Sequence, residues 1–463
     1  MTSFQGTRLT SFQRTRFATA ATALVFGAGL GFPATAAAAG TVPAASQNSS
    51  SCTQNNVTTQ SNQSQVPWEI GYANPSHLTD ASGNALDGAG VTVAVIDTGI
   101  QAQTQLSVSG GEVLNGESGY ASDDDGHGTM VASIIAAKKE TGGGTAMQGI
   151  APGVRLLSVR EAGCNAVQGD GNTEDSMADA VNYAVAHGAQ VINISQDGYD
   201  PDTKLYNAVQ NAYNNGVIVV TSAGNQGDKD TTDSTGKDYG VDPKTYPASY
   251  PYVLAVGAVD QNGMVPTFSE TGSAANSYFV GVTAPGAAVG GLLPNGHIAV
   301  DDGTSFAAPY VAAEAALIIQ EHDWAGDNSA SRAYDVIKII EATADGGGAY
   351  SSSEGWGEAD LQVALTTQLT GGNSLVMPGN EIAGLPKMLG VGPNNDGPAA
   401  SANSAAKQTA IKPYVAAAGN AEAQNQQRWA YMALGGGLLV AVVTLAGAAV
   451  ARDTARRRSA SQL

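Results

Sequence analysis

The chain has 463 residues, enough for one large domain with attachments or for two or three ordinary ones. Charged residues make up 13% and glycine is abundant at 58, which suits an α/β protein with tight loops and argues against a coiled coil or a long disordered chain. The formal net charge of −20 argues against a nucleic-acid partner, because phosphate binding needs a basic patch.

The N-terminus reads as a secretory signal peptide over residues 1–36. Arg8, Arg14 and Arg16 form a positive region, Phe17 to Leu30 is an uncharged apolar run, and Ala34-Thr35-Ala36 offers a cleavage site. The next segment, residues 37–88, is an N-terminal extension whose stretch Gly40 to Gln65 is too polar to build a core of its own. It carries Cys52; the only other cysteine is Cys164. Outside the cytoplasm such thiols tend to pair, and a bridge would tie the extension across the following domain; the alternative is two buried free thiols.

From about Val91 strands and helices alternate. Short apolar runs at Val91–Ile96, Arg155–Arg160, Val191–Ser195, Val217–Ser222 and Tyr252–Val259 read as strands buried on both faces of a sheet. Between them, Met177, Val181, Ala184 and Val185 share one helical face ahead of Gly188. Leu205, Ala208, Val209, Ala212 and Tyr213 share another, ahead of Gly216. The alternation predicts an α/β fold: an open, mostly parallel sheet with helices on both faces, over residues 89–369. Residues 370–427, rich in Gly, Pro, Asn, Ala and Ser, read as a flexible stalk. Ala430 to Val450 carries no charge and, at about 1.5 Å per residue, reaches roughly 31 Å, enough to cross a bilayer. Arg452, Arg456, Arg457 and Arg458 lie beyond it, in a basic tail of residues 451–463. That arginine excess places the tail in the cytoplasm and the body of the protein outside a cell membrane spanned once.

Three segments stand out for chemistry. Val93-Ala94-Val95-Ile96-Asp97-Thr98-Gly99 is an apolar strand that delivers a carboxylate to the C-terminal edge of the sheet, where open α/β sheets hold their sites. In Asp125-Gly126-His127-Gly128-Thr129 two glycines frame a histidine at the start of an apolar helix. In Gly303-Thr304-Ser305-Phe306-Ala307-Ala308-Pro309 a serine opens a helix, beside unpaired backbone N–H groups that can hold an oxyanion. The acidic runs Asp123-Asp124-Asp125 and Asp228 to Asp233 lack the spaced ligands of a calcium loop, and no histidine has a close metal-ligand spacing, so no metal or cofactor is expected.

Together, VAVIDTGI, DGHGTMVASIIAA and DGTSFAAPYVAA resemble the subtilisin-like serine proteases, the subtilases, over roughly residues 90–342. The resemblance implies a serine endopeptidase acting on protein or peptide substrates. Its catalytic residues would be Asp97, His127 and Ser305, with Asn225 of Ser222-Ala223-Gly224-Asn225 as an oxyanion donor. Ala223 and Gly224 would line the primary specificity pocket. Ser195, Gln196, Asp197 and Gly198 would pair as an edge strand with an extended substrate. Pro67-Trp68, GAGVTVAVIDTGI, GTSFAAPYVAA and the layout of signal, protease, stalk, membrane helix and basic tail are similar to the mycosins. These are membrane-anchored subtilases of type VII secretion systems, which implies secretion-system membrane proteins as partners. Ala313 and Glu314 depart from the family pattern after YVA, and Ser195 to Gly198 is more polar than the usual substrate edge. A rival reading makes the chain a structural component of such a complex with its protease activity secondary. An α/β-hydrolase lipase is excluded by the triad order and the missing GxSxG.

Overall fold

The computed structural model describes residues 58–59, 62–80, 82–117, 119–140, 144–163, 174–233, 236–272, 279–346 and 350–367. The signal peptide, Cys52, Cys164, the stalk, the membrane span and the basic tail lie outside them. Among the described residues no helix is long and apolar enough to cross a membrane.

The strands, in chain order, are β1 (Thr58–Thr59), β2 (Thr92–Asp97), β3 (Val108–Val113), β4 (Arg155–Arg160), β5 (Val191–Ile194), β6 (Ile218–Ser222), β7 (Asp230–Thr232), β8 (Asp238–Val241), β9 (Val253–Val259), β10 (Val282–Pro285), β11 (Val289–Leu292) and β12 (Ile298–Asp301). The helices are α1 (Trp68–Ala73), α2 (His127–Ala136), α3 (Glu174–Ala186), α4 (Thr203–Asn214), α5 (Thr304–Glu321), α6 (Ala330–Thr343) and α7 (Leu361–Thr366). Seven strands form one parallel sheet in the order β10-β9-β6-β5-β2-β4-β3.

The sheet is buried on both faces, which explains the unbroken apolar runs. Along β2, Val93 and Val95 face one core, with Met130, Ile134 and the apolar side of α5. Ala94 and Ile96 face the other, with Met177 and Val181 of α3 and Leu205 and Val209 of α4. Gly188 and Gly216 end α3 and α4 at φ +77° and +72°, the left-handed geometry a helix C-terminus favours in glycine. The predicted strand starting at Tyr252 starts one residue later, because Tyr252 itself sits at φ +77° and cannot extend the ladder. Likewise Val91 precedes β2, although its carbonyl still accepts from Arg155 N at 2.8 Å.

From β2 the chain passes through β3 and α2 to β4 on one side; from β5 it passes through α4 to β6 on the other. The two connections leave in opposite directions, so a crevice opens at the carboxyl ends of β2 and β5. Asp97 ends the first of these strands and Ser195 follows the second.

The described part of the N-terminal extension lies along the hairpin that leads into α5. β1 pairs antiparallel with β12, and β12 with β11. Gln63 bonds the Ile298 backbone in both directions, and Trp68 Nε1 donates to the carbonyl of Ala288 at 3.0 Å. Pro67 fills the space beside Gly290, whose amide donates to Glu69 Oε1 at 3.1 Å. Glu69 is fully buried with Oε2 unpartnered, and burial outweighs its backbone hydrogen bonds to raise its pKa to about 8. A carboxyl held protonated in the fold but ionised when unfolded costs stability increasingly as pH climbs from 4.5 to about 8. Glu69→Gln keeps the amide bond without that cost. It is expected to stabilise the protein by about 2–3 kcal/mol at pH 7.5 and by much less at pH 4.5, read from thermal unfolding at both.

Candidate active site

Asp97 is completely buried at the end of β2, where its Oδ1 accepts from Thr98 N at 2.7 Å and lies 2.8 Å from His127 Nδ1. His127 is the first residue of α2. The preceding Gly126 turns the chain at φ +105°, and Gly128 lets the helix close on the sheet: a Cβ there would strike the Gly99 carbonyl and come within 3.1 Å of Asp97 Cβ. The two glycines therefore serve the backbone and the approach of α2 to Asp97.

Asp123 completes this part of the site. Fully buried, it takes Gly126 N at 2.8 Å on Oδ1, and Thr129 N at 2.8 Å and Thr129 Oγ1 at 2.6 Å on Oδ2, so it caps α2 from three residues upstream of Gly126. Thr98 Oγ1 donates to it at 3.0 Å and accepts from Gly128 N at 2.9 Å, locking strand end to helix start. Asp124 pairs with Arg160 at 2.7 Å. Two members of the acidic run are thus a cap and an ion pair, and among the described residues no group of three His, Cys, Asp or Glu is placed to hold a metal ion. Sequence reasoning passed over Asp123 as a site residue; its spacing to the helix start was the available signal.

Burial works to lower the pKa of His127. The charge and hydrogen bond of Asp97, with Asp125 and Asp123 behind it, outweigh burial and raise it to about 9.

Ser305 is the second residue of α5, which packs against β5, β6, β9 and β10. Pro309 lies inside the helix and has no N–H to give the Ser305 carbonyl. The hydroxyl of Ser195 takes its place, donating to that carbonyl at 2.8 Å, while Ser305 Oγ donates to the Ser195 carbonyl at 3.2 Å. The end of β5 and the start of α5 are fastened together by this exchange. The ring of His127 stands 5.4 Å from that of Phe306, which brings α2 to the same helix start.

Asn225 follows β6, half-buried. Thr304 N and Thr304 Oγ1 donate to its Oδ1 at 2.9 and 3.0 Å, which fixes the amide beside the N-terminus of α5. Thr304 Oγ1 also accepts from Gly224 N at 3.0 Å, and Thr245 Oγ1 donates to the Ala223 carbonyl at 2.6 Å. Of the predicted substrate edge, Ser195 and Gln196 are buried and Asp197 is exposed. Gly198 exchanges backbone bonds with Tyr246 at 2.9 and 2.8 Å. Asp97 and His127 are thus bonded as one pair, and Ser305, Ser195, Asn225, Ala223 and Gly224 are held by a second set of bonds around the start of α5, the two meeting where the His127 ring stands against Phe306.

Glu314, the charge predicted within α5, is fully buried. Burial and then Asp360 hold its pKa well above the usual carboxylate range, so it sits in the core as a neutral acid.

The model of the subtilase family, Peptidase_S8, matches residues 88–357, and the chain belongs to that family. It is a serine-type endopeptidase. It is 38% identical over 237 residues to subtilisin DY of Bacillus licheniformis, covering 51% of this chain and 78% of that protein. To the thermophilic serine proteinase of Bacillus sp. strain AK1 it is 37% identical over 280 residues, covering 59% of this chain and 61% of that one. Among solved structures it is similar to MycP1 with the N-terminal propeptide removed, at TM-score 0.53 and 32% identity, over 66% of this chain and 99% of that one. MycP1 from Mycobacterium smegmatis matches at TM-score 0.53 and 29% identity, over 72% and 94%. The expected likeness to mycosins is thus found in structure as well as in motifs.

Proposed function

We propose that Ser305, His127 and Asp97 form the catalytic triad of an extracytoplasmic endopeptidase anchored to the membrane by residues 430–450. The observation that carries the triad is the His127–Asp97 hydrogen bond, placed at the switch-point crevice beside the first turn of α5. Ser305 Oγ attacks the scissile carbonyl as His127 takes its proton, forming a tetrahedral intermediate. Its collapse releases the amine, which receives that proton, and leaves an acyl-enzyme on Ser305. Water, deprotonated by the same imidazole, then frees the acid. Asp97 holds the ring and stabilises the imidazolium. Asn225 donates its amide to the oxyanion alongside the Ser305 N–H; Thr304 N and Oγ1 donate to its Oδ1 and so hold the amide beside the helix start. Asn225→Ala is expected to lower kcat by about 10²–10³ with little change in KM, measured on a peptide substrate. A change confined to KM would remove the oxyanion role.

The similarity to MycP1 structures, one described as from the ESX-1 type VII secretion system, supports a place beside a secretion apparatus in the membrane. Another MycP1 is described as an essential component of that system, which favours a structural role alongside proteolysis. The N-terminal extension, whose described part runs along the β11–β12 hairpin, is retained as a belt around the catalytic domain. A protease added to intact cells is expected to release that domain by cutting within 371–427 and to leave the basic tail protected. Labelling of the tail from outside would reverse the topology.

A further inference from the structure

On the reading of Ala223 and Gly224 as a wall of the primary specificity pocket, an acid stands directly behind that wall. The Glu270 amide donates to the Gly224 carbonyl at 3.0 Å. The segment is clamped on either side: Ser269 Oγ accepts from Ala258 N at 3.0 Å, and Thr271 gives its N–H and hydroxyl to Asp242 at 2.6 and 2.7 Å. The Glu270 carboxyl occupies the space a Cβ on Gly224 would fill, with Cδ 2.7 Å from that point and the Thr245 methyl 2.9 Å from it. Gly224 sits at φ +114° and has no side chain to intervene.

Glu270 is 0% exposed, and the Gln226 amide reaches its carboxyl without completing a well-formed hydrogen bond. A buried acid with so little donor support is costly. Burial, then Asp197 and Asp242, push its pKa up to about 10; the Gln226 amide and Lys229 oppose that shift without overcoming it. Burial therefore keeps the acid protonated, beside negative charge supplied partly by Asp197 of the substrate edge. A substrate cation would add the donors and the opposite charge that Gln226 and Lys229 supply too weakly.

We propose that Glu270 selects the substrate residue immediately before the scissile bond, and that the enzyme cuts after arginine or lysine. The proposal rests on the active-site reading above and assigns its substrate class.

The test uses the full chain and a peptide series that differs only at that residue: Arg, Lys, citrulline, Leu and Phe. Citrulline keeps the shape of arginine without its charge, so the wild-type comparison requires no variant to fold. Arg over citrulline is expected to differ by at least about 10-fold in kcat/KM. In Glu270→Gln, which preserves volume, the Arg-to-Leu ratio should fall by a similar factor, and Glu270→Asp should recover part of it. Fluorophosphonate labelling of Ser305 in each protein separates the two levels. Labelled enzyme that prefers Leu or Phe, or an Arg-to-Leu ratio unchanged in Glu270→Gln, overturns the specificity and leaves the active site standing. No label on the wild type overturns both.

Discussion

Ser305→Ala is expected to reduce peptide hydrolysis by about 10⁶-fold while leaving the fold in place. The proposed nucleophile has no substitute: Ser195, the hydroxyl that exchanges bonds with Ser305, donates to a backbone carbonyl whose own helical partner is missing because of Pro309. The substitution removes one hydrogen bond, from Ser305 Oγ to the Ser195 carbonyl, worth about 1 kcal/mol net. Alanine in the first turn of α5 suits the helix at least as well as serine. Thermal unfolding should therefore shift by only a few degrees as activity vanishes. Residual cleavage above one hundredth of wild type would rule out Ser305 as the nucleophile.

Asp97→Asn is expected to cost about 10⁴-fold in kcat. Asparagine retains the shape and the bond from Thr98 N but loses the charge that offsets the burial of His127. The pH profile carries the distinguishing sign. His127 acts as a base only when neutral, so wild-type kcat/KM should rise with pH along a limb that runs through about 9. Without the Asp97 charge, burial dominates and the limb should move to lower pH while the maximum falls. An unchanged limb would mean that the titrating group is not this histidine.

The framework of this site was legible in the sequence because each residue of the proposed triad sits where two local signals meet. Asp97 ends an apolar run, His127 opens a helix behind a glycine, and Ser305 opens another. The buried central strands were legible for the same reason: with both faces covered, their runs have no polar interruptions. β3 escaped notice because it is the edge strand, half-exposed and carrying Gly110 and Gly111. β11 and β12 are short, glycine-bearing or half-polar, and are defined by pairing with each other and with β1, which no local pattern encodes. Asp123 and Glu270 were missed for a related reason. Their meaning comes from what they face, a helix start in one case and the bare backbone of Gly224 in the other. The substrate edge was read as an open strand, yet Gly198 is already paired with Tyr246, a contact that spans 48 positions and that sequence spacing could not supply.

The identity of the nucleophile is tested most directly by mass spectrometry of the full chain after reaction with a fluorophosphonate probe. The account predicts one probe per molecule, attached to Ser305, and its loss in His127→Ala at neutral pH. No adduct, or an adduct on any other serine, would contradict it.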